Sequence, residues 1–371
     1  MVSRAKGEGA VWAIGLMSGT SCDGIDAALI HTDGTSIDDF GPTTELSYDI
    51  AFRARLQSCF GGKGPVAAVE RELTERHADA VRQLLAEAGR TRSEIGVVGF
   101  HGQTIHHAPA QRQTVQIGDG ALLAKLTGID VVNDFRSADV GAGGQGAPLA
   151  PVYHLARAYG LQKPVAVLNL GGVGNVTWIG PSENNRDGTL IAFDTGPANA
   201  LLDDWALRHT GKPLDVDGAL AKSGQPSAAA LAKLKSDPYF ALPAPKSLDR
   251  QHFKALADAA LAGLSAADGA ATLVAFTVWS AAEAVRTFPT PAREWLVCGG
   301  GRHNPAIMQG LRAALPCPIR SVEEVGWNGD ALEAQAFAFM AVRSLRGLPL
   351  SFPGTTGVPQ PMPGGRYHRA A

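Results

Sequence analysis

One carboxylate in the sequence has the setting of a general base. Asp194 lies in the segment Phe193–Pro197, where an apolar strand ends and Pro197 is expected to begin a helix. The positive end of a helix dipole stabilises an ionised carboxylate, and an ionised carboxylate in a cleft can accept a proton from water or from a hydroxyl. The same local pattern also fits an aspartate that only caps the helix.

A glycine-rich turn near the N-terminus could bind an anion. Ser18–Gly24 joins two apolar segments, Val11–Met17 and Ile25–His31, that predict a hairpin. Backbone N–H groups and small hydroxyl side chains in such a turn bind phosphates, and Asp23 could hold Mg²⁺ or order the turn. The alternative is an ordinary hairpin turn. The segment is not a P-loop, because it lacks the Gly-Lys-Ser/Thr ending and a strand follows it.

Two further glycine turns could contact the same ligand. Asn169–Asn175 again lies between two predicted strands, so it could clamp a polyphosphate together with the first turn. Gly299–Gly301 follows a strand and precedes a helix, and three glycines let a flat ring approach the backbone closely, which suits a base and ribose. Turns without any ligand remain the alternative for both segments.

Polar side chains at the ends of predicted elements could recognise a small substrate. Arg136 and Asp139 lie three residues apart, so Arg136 could bind a substrate carboxylate or pair internally. Asp330 and Glu333 begin the last predicted helix, where they could bind sugar hydroxyls or only complement the helix dipole. The remaining polar candidates follow a predicted strand: His101, Gln103 and Thr104.

Composition limits the class of protein. The chain has 371 residues, 45% of them hydrophobic and 18% charged, which excludes a disordered chain, and its 44 glycines show no collagen period. A net charge of −2 offers no basic surface for nucleic acid or for an anionic membrane. The four cysteines have no Cys-x-x-Cys spacing, so we expect a reduced, cytoplasmic protein. No apolar run is long enough for a transmembrane helix.

The positioning elements form an α/β pattern. The predicted strands are Val11–Met17, Ile25–His31, Glu45–Phe52, Val97–His101, Thr114–Ile117, Ile129–Val132, Val165–Leu170, Val176–Ile179, Leu190–Phe193 and Trp295–Cys298. The predicted helices are Glu70–Ala88, Asp119–Leu126, Pro197–His209, Leu248–Leu264, Thr272–Arg286, Asn304–Leu315 and Asp330–Leu345. The tail from Pro349 is expected to be extended and partly mobile.

Each half of the chain opens with antiparallel strands and then adds helices and further strands, which predicts two domains with mixed sheets. The glycine-rich segment Gly141–Pro151 interrupts the pattern, so we place the domains at residues 1–146 and 147–371. A cleft between the two domains is then the expected ligand site.

Taken in order, the motifs resemble one family, the anhydro-N-acetylmuramic acid kinases. The matching stretches are Gly15–Asp26, His101–Thr104, Asn133–Arg136, Gly143–Leu149, Asn169–Asn175, Phe193–Pro197, Cys298–Gly301 and Asp330–Ala334. The resemblance implies the two-domain, actin-like (ribonuclease H-like) ATPase fold, an interdomain ATP cleft, ATP and Mg²⁺ as cofactors, and a homodimer. It also implies a reaction in which water opens 1,6-anhydro-N-acetylmuramic acid and O6 is phosphorylated, a step in cell-wall recycling.

The resemblance assigns roles to the candidate residues. It makes Asp194 the general base that activates the attacking water. The residues expected at the nucleotide are Gly19, Thr20, Ser21, Cys22, Asp23, Gly24, Ile25, Asp26, Gly171, Gly172, Gly174, Asn175, Gly299, Gly300 and Gly301. Those expected at the sugar are Ser18, His101, Gln103, Thr104, Arg136, Asp139 and Glu333, with Arg136 a natural partner for the lactyl carboxylate. The metal ligands are left unassigned.

Two other functions fit the same fold. A related sugar kinase would use Asp194 to deprotonate a free hydroxyl of a common sugar. An ATP-gated clamp of the Hsp70 type would act without a small substrate, and it would carry a further peptide-binding domain. Turnover with hexoses but not with the anhydro sugar would favour the first of these.

Overall fold

The computed structural model describes residues 9–19, 21–182 and 189–370. Thr20 and most of the predicted loop at 181–188 therefore lie outside the described residues. The chain divides into two compact units, Met1–Tyr159 with Ala331–Ala371, and Gly160–Asp330. This division differs from the predicted one at residue 146, because the C-terminal segment returns to the first unit.

The described residues of the first unit form a seven-stranded sheet. Numbered along the chain, its strands are β1 (Val11–Ser18), β2 (Gly24–Thr32), β3 (Ile37–Ser47), β4 (Ile95–Ala108), β5 (Gln113–Ile117), β6 (Val131–Asn133) and β12 (Arg366–His368). Their order in the sheet is β12-β6-β4-β1-β2-β3, with β5 paired to β4. The first three strands are antiparallel neighbours, whereas β4 is parallel to β1 and β6 is parallel to β4.

Helices pack on this sheet. The helices of the unit are α1 (Ile50–Ser58), α2 (Val66–Ala88), α3 (Gly120–Thr127), α4 (Ser137–Gly141), α5 (Pro151–Arg157), α12 (Leu332–Leu345) and α13 (Pro353–Thr356). Helix α12 lies so close to β1 and β4 that a Cβ atom at Gly15 or Gly99 would overlap its backbone carbonyls. Two glycines therefore bring the C-terminal helix onto the central strands of the first sheet.

The described residues of the second unit form a five-stranded sheet in the order β11-β10-β7-β8-β9. Its strands are β7 (Val165–Leu170), β8 (Val173–Ile179), β9 (Leu190–Pro197), β10 (Glu294–Cys298) and β11 (Ile319–Ser321). Its helices are α6 (Asn199–Thr210), α7 (Ala219–Lys222), α8 (Ala228–Lys235), α9 (Lys254–Ala260), α10 (Ala266–Glu283) and α11 (Pro305–Ala314). A core rich in Trp, Phe and Leu side chains joins the sheet to α6, α10 and α11.

The two sheets repeat one strand order. In each, the first three strands form an antiparallel meander, and a fourth and a fifth strand continue parallel to the first on its other side. This repeat of mixed sheets in two compact units confirms the predicted fold class, an α/β protein with the two-domain, actin-like architecture.

Several predicted elements differ in extent from the observed ones, and four of them show the reason. The third strand ends at Ser47, and Asp49 then caps helix α1 by accepting a hydrogen bond from Phe52 N–H at 2.8 Å. The helix predicted at Leu248–Leu264 is the shorter α9, and the last long helix begins at Leu332 instead of Asp330. The tail is ordered into α13 and β12, and β12 pairs with β6. Tertiary contacts that local periodicity does not encode decide all four cases.

Candidate active site

Asp194 belongs to a row of residues that crosses the second sheet. Cys298 on β10 pairs with Asn169 on β7, Asn169 pairs with Asn175 on β8, and Asn175 pairs with Asp194 on β9. Directly opposed residues on antiparallel strands present their side chains on the same face. The strand register therefore brings Asn169, Asn175 and Asp194 together on one face of the sheet. All three belong to segments that the sequence analysis singled out.

The Asp194 carboxylate is held by a neighbouring segment. Its side chain is 8% exposed, and Oδ2 accepts a hydrogen bond from Leu248 N–H at 2.7 Å. The Asp194 backbone N–H donates to the Lys246 carbonyl at 2.9 Å, and the Asp194 carbonyl accepts from the Tyr239 hydroxyl at 2.5 Å. The carboxylate is thus buried and oriented by a backbone N–H, as a proton-accepting group requires.

Lys246 supplies a cation beside this carboxylate. Burial lowers the pKa of Lys246, and the charge of Asp194 opposes that shift. The Lys246 ammonium donates to the Tyr239 carbonyl at 3.0 Å and lies 4.4 Å from the centroid of the Tyr239 ring. Sequence reasoning missed Lys246 and Tyr239, because their distance along the chain from Asp194 gives no spacing signal.

The prediction that a helix begins at Pro197 is wrong. Strand β9 continues through Pro197, which pairs with Val173, and α6 begins at Asn199. Pro197 is tolerated because it ends an outer strand of the sheet. Asp194 therefore lies inside a strand, and the predicted support from a helix dipole at its side does not apply.

The β-bulge next to Asp194 explains why residue 174 is a glycine. The β8–β9 register shifts so that Gly174 faces Gly196 while Asn175 faces Asp194, which leaves Thr195 as the extra residue of the bulge. A Cβ atom at Gly174 would lie 2.7 Å from Thr195 Oγ1. Bulges re-aim side chains near active sites, and Gly174 leaves the room that this one needs.

The two glycine turns of the second unit lie side by side. Strands β7 and β10 are parallel, so the turns that follow them emerge at the same edge of the sheet. A Cβ atom at Gly299 would overlap Asn169 Oδ1, and one at Gly301 would lie 2.6 Å from Leu170 Cβ. The Asn199 amide donates to the Leu170 carbonyl at 2.8 Å, and a Cβ atom at Gly301 would lie 3.0 Å from Asn199 Oδ1, so Asn199 lies beside both turns.

The Gly171–Gly172 turn is fastened to helix α6. Asn199 N–H donates to the Gly171 carbonyl at 2.9 Å, and Ala198 N–H donates to the Gly172 carbonyl at 3.1 Å. The first N–H groups of α6 thus bind this turn and hold its carbonyls toward the helix.

In the first unit the predicted anion-binding turn is ordered by its own side chains. Ser21 Oγ donates to Asp23 Oδ1 at 2.8 Å, Arg53 donates to the Ser21 carbonyl at 3.0 Å, and Tyr48 N–H donates to the Asp23 carbonyl at 2.8 Å. Cys22 adopts a φ of 54°. Asp23 therefore orders the turn, which was one of its two predicted roles.

The side chains of Cys22 and Ile25 belong to the hydrophobic core instead of the surface of the turn. Both are fully buried in the core of the first unit. Gly24 is buried as well, and a Cβ atom there would lie 2.6 Å from the Leu46 carbonyl oxygen. These positions can reach a nucleotide only through their backbone atoms. Asp26 faces Met17 in the β1–β2 register and is partly exposed.

Four of the predicted sugar-binding residues form one polar cluster, in which Ser18, His101 and Gln103 are buried and Arg136 is partly buried. Ser18 Oγ donates to Gln103 Oε1 at 2.8 Å and lies 3.0 Å from the Tyr48 hydroxyl. His101 Nε2 faces Arg136 Nε at 3.2 Å and Nη2 at 3.0 Å. Burial and the Arg136 charge hold the pKa of His101 well below its usual range, so the ring is neutral and accepts from the guanidinium.

The other predicted sugar contacts have different surroundings. Both Asp139 oxygens accept hydrogen bonds, one from Gly146 N–H and one from Thr356 Oγ1, each at 2.6 Å. Thr104 Oγ1 accepts from the Gln116 amide at 3.2 Å. Glu333 is exposed in the first turn of α12, whereas Asp330 precedes the helix and pairs with Arg302 at 2.8 Å.

Within the described ranges of the chain, no group of three His, Cys, Asp or Glu side chains could hold a metal ion. Among the same residues, no helix is long and apolar enough to cross a membrane.

Comparisons with known proteins show the family of the chain. The sequence model of the anhydro-N-acetylmuramic acid kinase family matches residues 11–368. An anhydro-N-acetylmuramic acid kinase of Paramagnetospirillum magneticum is 59% identical over 96% of this chain and 99% of its own length. One of Rhodospirillum rubrum is 57% identical over 99% of this chain and 96% of its own length.

A solved structure is similar in outline. Component A of the (R)-2-hydroxyglutaryl-CoA dehydratase of Acidaminococcus fermentans aligns with a TM-score of 0.49 and 12% identity, over 91% of this chain and 99% of that one. The family match and the two close relatives carry the assignment. The chain belongs to the anhydro-N-acetylmuramic acid kinase family, and it is an ATP-utilising sugar kinase, a phosphotransferase with an alcohol group as acceptor.

Proposed function

We propose that Asp194 is the general base in a reaction that opens 1,6-anhydro-N-acetylmuramic acid and phosphorylates O6. A water oxygen bonds to C1, the C1–O6 bond breaks, and O6 takes the γ-phosphoryl group of ATP as ADP leaves. Asp194 accepts the proton of the water. The products are N-acetylmuramic acid 6-phosphate and ADP, and the reaction belongs to peptidoglycan recycling.

One observation carries this assignment. Asp194 is a buried carboxylate oriented by the Leu248 N–H, and it lies in register with Asn175 and Asn169 at the edge where the glycine turns emerge. A base must be held within reach of the proton that it removes, and a backbone hydrogen bond from an ordered segment provides that constraint.

The nucleotide would be bound mainly by backbone groups. We assign the phosphates to the turns Gly19–Asp26 and Gly171–Asn175, and the adenosine to Gly299–Gly301. The side-by-side position of the last two turns supports their contact with one ligand. Phosphoryl transfer relies on positioning of the phosphates and on neutralisation of the charges on their oxygens. Backbone N–H groups can do both.

The residues of the phosphate turn fit a Mg²⁺ ion that binds together with the nucleotide. Proteins bind Mg²⁺ through one or two carboxylates together with phosphate oxygens and waters, so a cage of three protein ligands is not needed. Asp23, whose Oδ1 also accepts from Ser21, is an exposed carboxylate in the predicted phosphate turn. The ion would neutralise charge on the phosphate oxygens.

The sugar would be bound in the first unit. We assign the lactyl carboxylate to Arg136, whose guanidinium is held by His101 and by the Gly146 carbonyl. Ser18 and Gln103 belong to the same polar cluster, and exposed Glu333 would accept from sugar hydroxyls. An arginine whose plane is fixed by neighbouring groups suits a carboxylate, because the pairing is bidentate.

We also infer a cytoplasmic homodimer. The family resemblance supports the dimer, and the cysteine positions, which show no Cys-x-x-Cys spacing, support a reducing compartment. Nucleic acid and membrane remain outside the proposed partners, because the net charge of −2 offers no basic surface.

Asp194→Asn tests the proposed base. The amide keeps the shape of the side chain but cannot accept the proton, so turnover should fall by about 100- to 10,000-fold. ATP affinity, measured by calorimetry, should stay within about threefold, since the nucleotide is assigned to backbone groups. ADP release with the anhydro sugar measures turnover.

Asp258→Asn is the matched control, because Asp258 is an exposed carboxylate of the same unit that pairs with Arg208. It should retain wild-type turnover. Full activity of Asp194→Asn would refute the assignment, and turnover with glucose but not with the anhydro sugar would refute the proposed substrate.

A further inference from the structure

The C-terminal segment reaches the loop that holds Arg136. Thr356, the last residue of α13, is fully buried, and its Oγ1 donates to Asp139 Oδ2 at 2.6 Å. The Thr356 carbonyl accepts from Gln145 N–H at 2.6 Å. One threonine of the tail is therefore bonded to both ends of the loop between α4 and Gly146.

From Asp139 the contacts continue to Arg136. Asp139 Oδ1 accepts from Gly146 N–H at 2.6 Å, and the Gly146 carbonyl accepts from Arg136 Nη1 at 2.7 Å. The loop folds tightly over the carboxylate, since a Cβ atom at Gly144 would overlap Asp139 Oδ1. An unbroken series of hydrogen bonds, buried at Asp139 and partly buried at Arg136, therefore joins Thr356 to the Arg136 guanidinium.

The guanidinium is held from a second direction. His101 Nε2 accepts from Arg136 Nε and Nη2, and His101 Nδ1 lies 2.8 Å from the Gly102 carbonyl. The His101 ring lies 4.6 Å from the ring of Phe337 on α12. Two separate supports, one from the tail and one from β4, thus determine the plane of a single guanidinium.

We propose that Thr356 is a positioning residue for Arg136, and through it a determinant of affinity for the carboxylate of the sugar. This inference rests on the proposed role of Arg136. A bidentate arginine–carboxylate pair requires a fixed guanidinium plane, and the Gly146 carbonyl can fix that plane only while Asp139 and Thr356 hold its loop.

Thr356→Val tests the inference, with Thr356→Ser as the matched variant. Valine has nearly the shape of threonine but cannot donate to Asp139, whereas serine keeps the hydroxyl. For Thr356→Val we expect the KM for the anhydro sugar to rise about tenfold, with kcat and the KM for ATP within about twofold of wild type. Thr356→Ser should keep the KM for the sugar near the wild-type value.

Arg136→Gln, assayed in parallel, separates the two levels of the proposal. If Arg136→Gln leaves the KM for the sugar unchanged, the carboxylate assignment fails and the role of Thr356 fails with it. If Arg136→Gln raises that KM and Thr356→Val does not, only the role of Thr356 is overturned.

Two further results distinguish a positioning role of Thr356 from a role in folding alone. Equal losses in kcat and in both KM values for Thr356→Val would show a general defect and overturn the inference. If Thr356→Val does not fold, Asp139→Asn replaces it, because the amide keeps the shape but weakens the bond to Gly146 N–H. A rise confined to the KM for the sugar then supports the positioning role, and an unchanged KM overturns it.

Discussion

At the scale of single residues, the site is built from polar groups that other polar groups hold in place. Asp194 is oriented by Leu248 N–H, and Arg136 by a neutral His101. Buried polar groups are stable when they are paired, so each of these candidate side chains has a hydrogen-bonding partner beside it. The chemistry of each residue was readable from its type, whereas its partner was not.

A buried histidine outside the site should make the protein sensitive to acid. His77 on α2 is fully buried, and burial lowers its pKa from 6.5 to about 4. Below pH 6.5 the unfolded chain binds a proton that the folded chain does not, so the free energy of unfolding falls as the pH falls. The slope for this site is about 1.4 kcal/mol per pH unit between pH 6.5 and about 4.

His77→Gln removes this titration. Urea unfolding followed by circular dichroism from pH 7.5 to 4.5 should show a shallower loss of stability in the variant than in the wild type. Above pH 7 the imidazole is neutral in both states, so the stability of each protein should be flat there. Parallel slopes for the two proteins below pH 6.5 would contradict the prediction.

At the scale of elements, strand register places the site. Parallel strands β7 and β10 end at the same edge, and the antiparallel partners β8 and β9 bring Asn175 and Asp194 into line with Asn169. The glycine turns can lie this close because their residues carry no side chain. The sequence suggested the two turns separately, and the sheet makes them neighbours.

Gly299→Ala should disrupt these neighbouring turns. Gly299 has φ 74° and ψ 168°, a conformation that costs other residues about 1–3 kcal/mol. An added Cβ atom would also lie 2.7 Å from the Leu170 carbonyl oxygen. We expect a lower melting temperature and weaker ATP binding, measured by scanning calorimetry and by titration.

Gly300→Ala is the control for that variant. A Cβ atom at Gly300 would have its nearest contact at 3.6 Å, with Asn199 Nδ2, so the melting temperature should stay near wild type. Equal melting temperatures for the Gly299 and Gly300 variants would show that the close approach of the two turns does not matter for folding.

At the scale of the whole molecule, each unit is built on the same strand order, and the chain returns to complete the first unit. Helix α12 lies on β1 and β4 through Gly15 and Gly99, and β12 adds a strand beyond β6. The tail is thus part of the first unit, and this is why a threonine close to the C-terminus can support Arg136.

The proposed homodimer is a property of the whole molecule. Light scattering on the purified chain should give a mass near twice 38.6 kDa, independent of ATP. The mass should persist in 0.5 M salt, because two copies that each carry a net charge of −2 repel only weakly and salt has little net interaction to screen. A mass of one chain at micromolar concentration would contradict the dimer.

The sequence by itself determined the family and the fold class, and it named the candidate residues for the chemistry. Its motifs preserve side-chain identity in chain order, so Asp194, the glycine turns and Arg136 could be named before any coordinates. Element boundaries were less certain, as Pro197 shows, because its ladder partner Val173 outweighs its local preference for a helix start.

Only the tertiary structure decided which groups meet. Strand register aligned Asp194 with Asn175, the segment at Leu248 oriented the carboxylate, and the buried tail brought Thr356 to Asp139. Contacts of this kind depend on packing between segments that are far apart in the chain. Local sequence preferences carry no record of such distances, which is why the supporting residues Leu248 and Thr356 escaped sequence reasoning while the candidate residues Asp194 and Arg136 could be named.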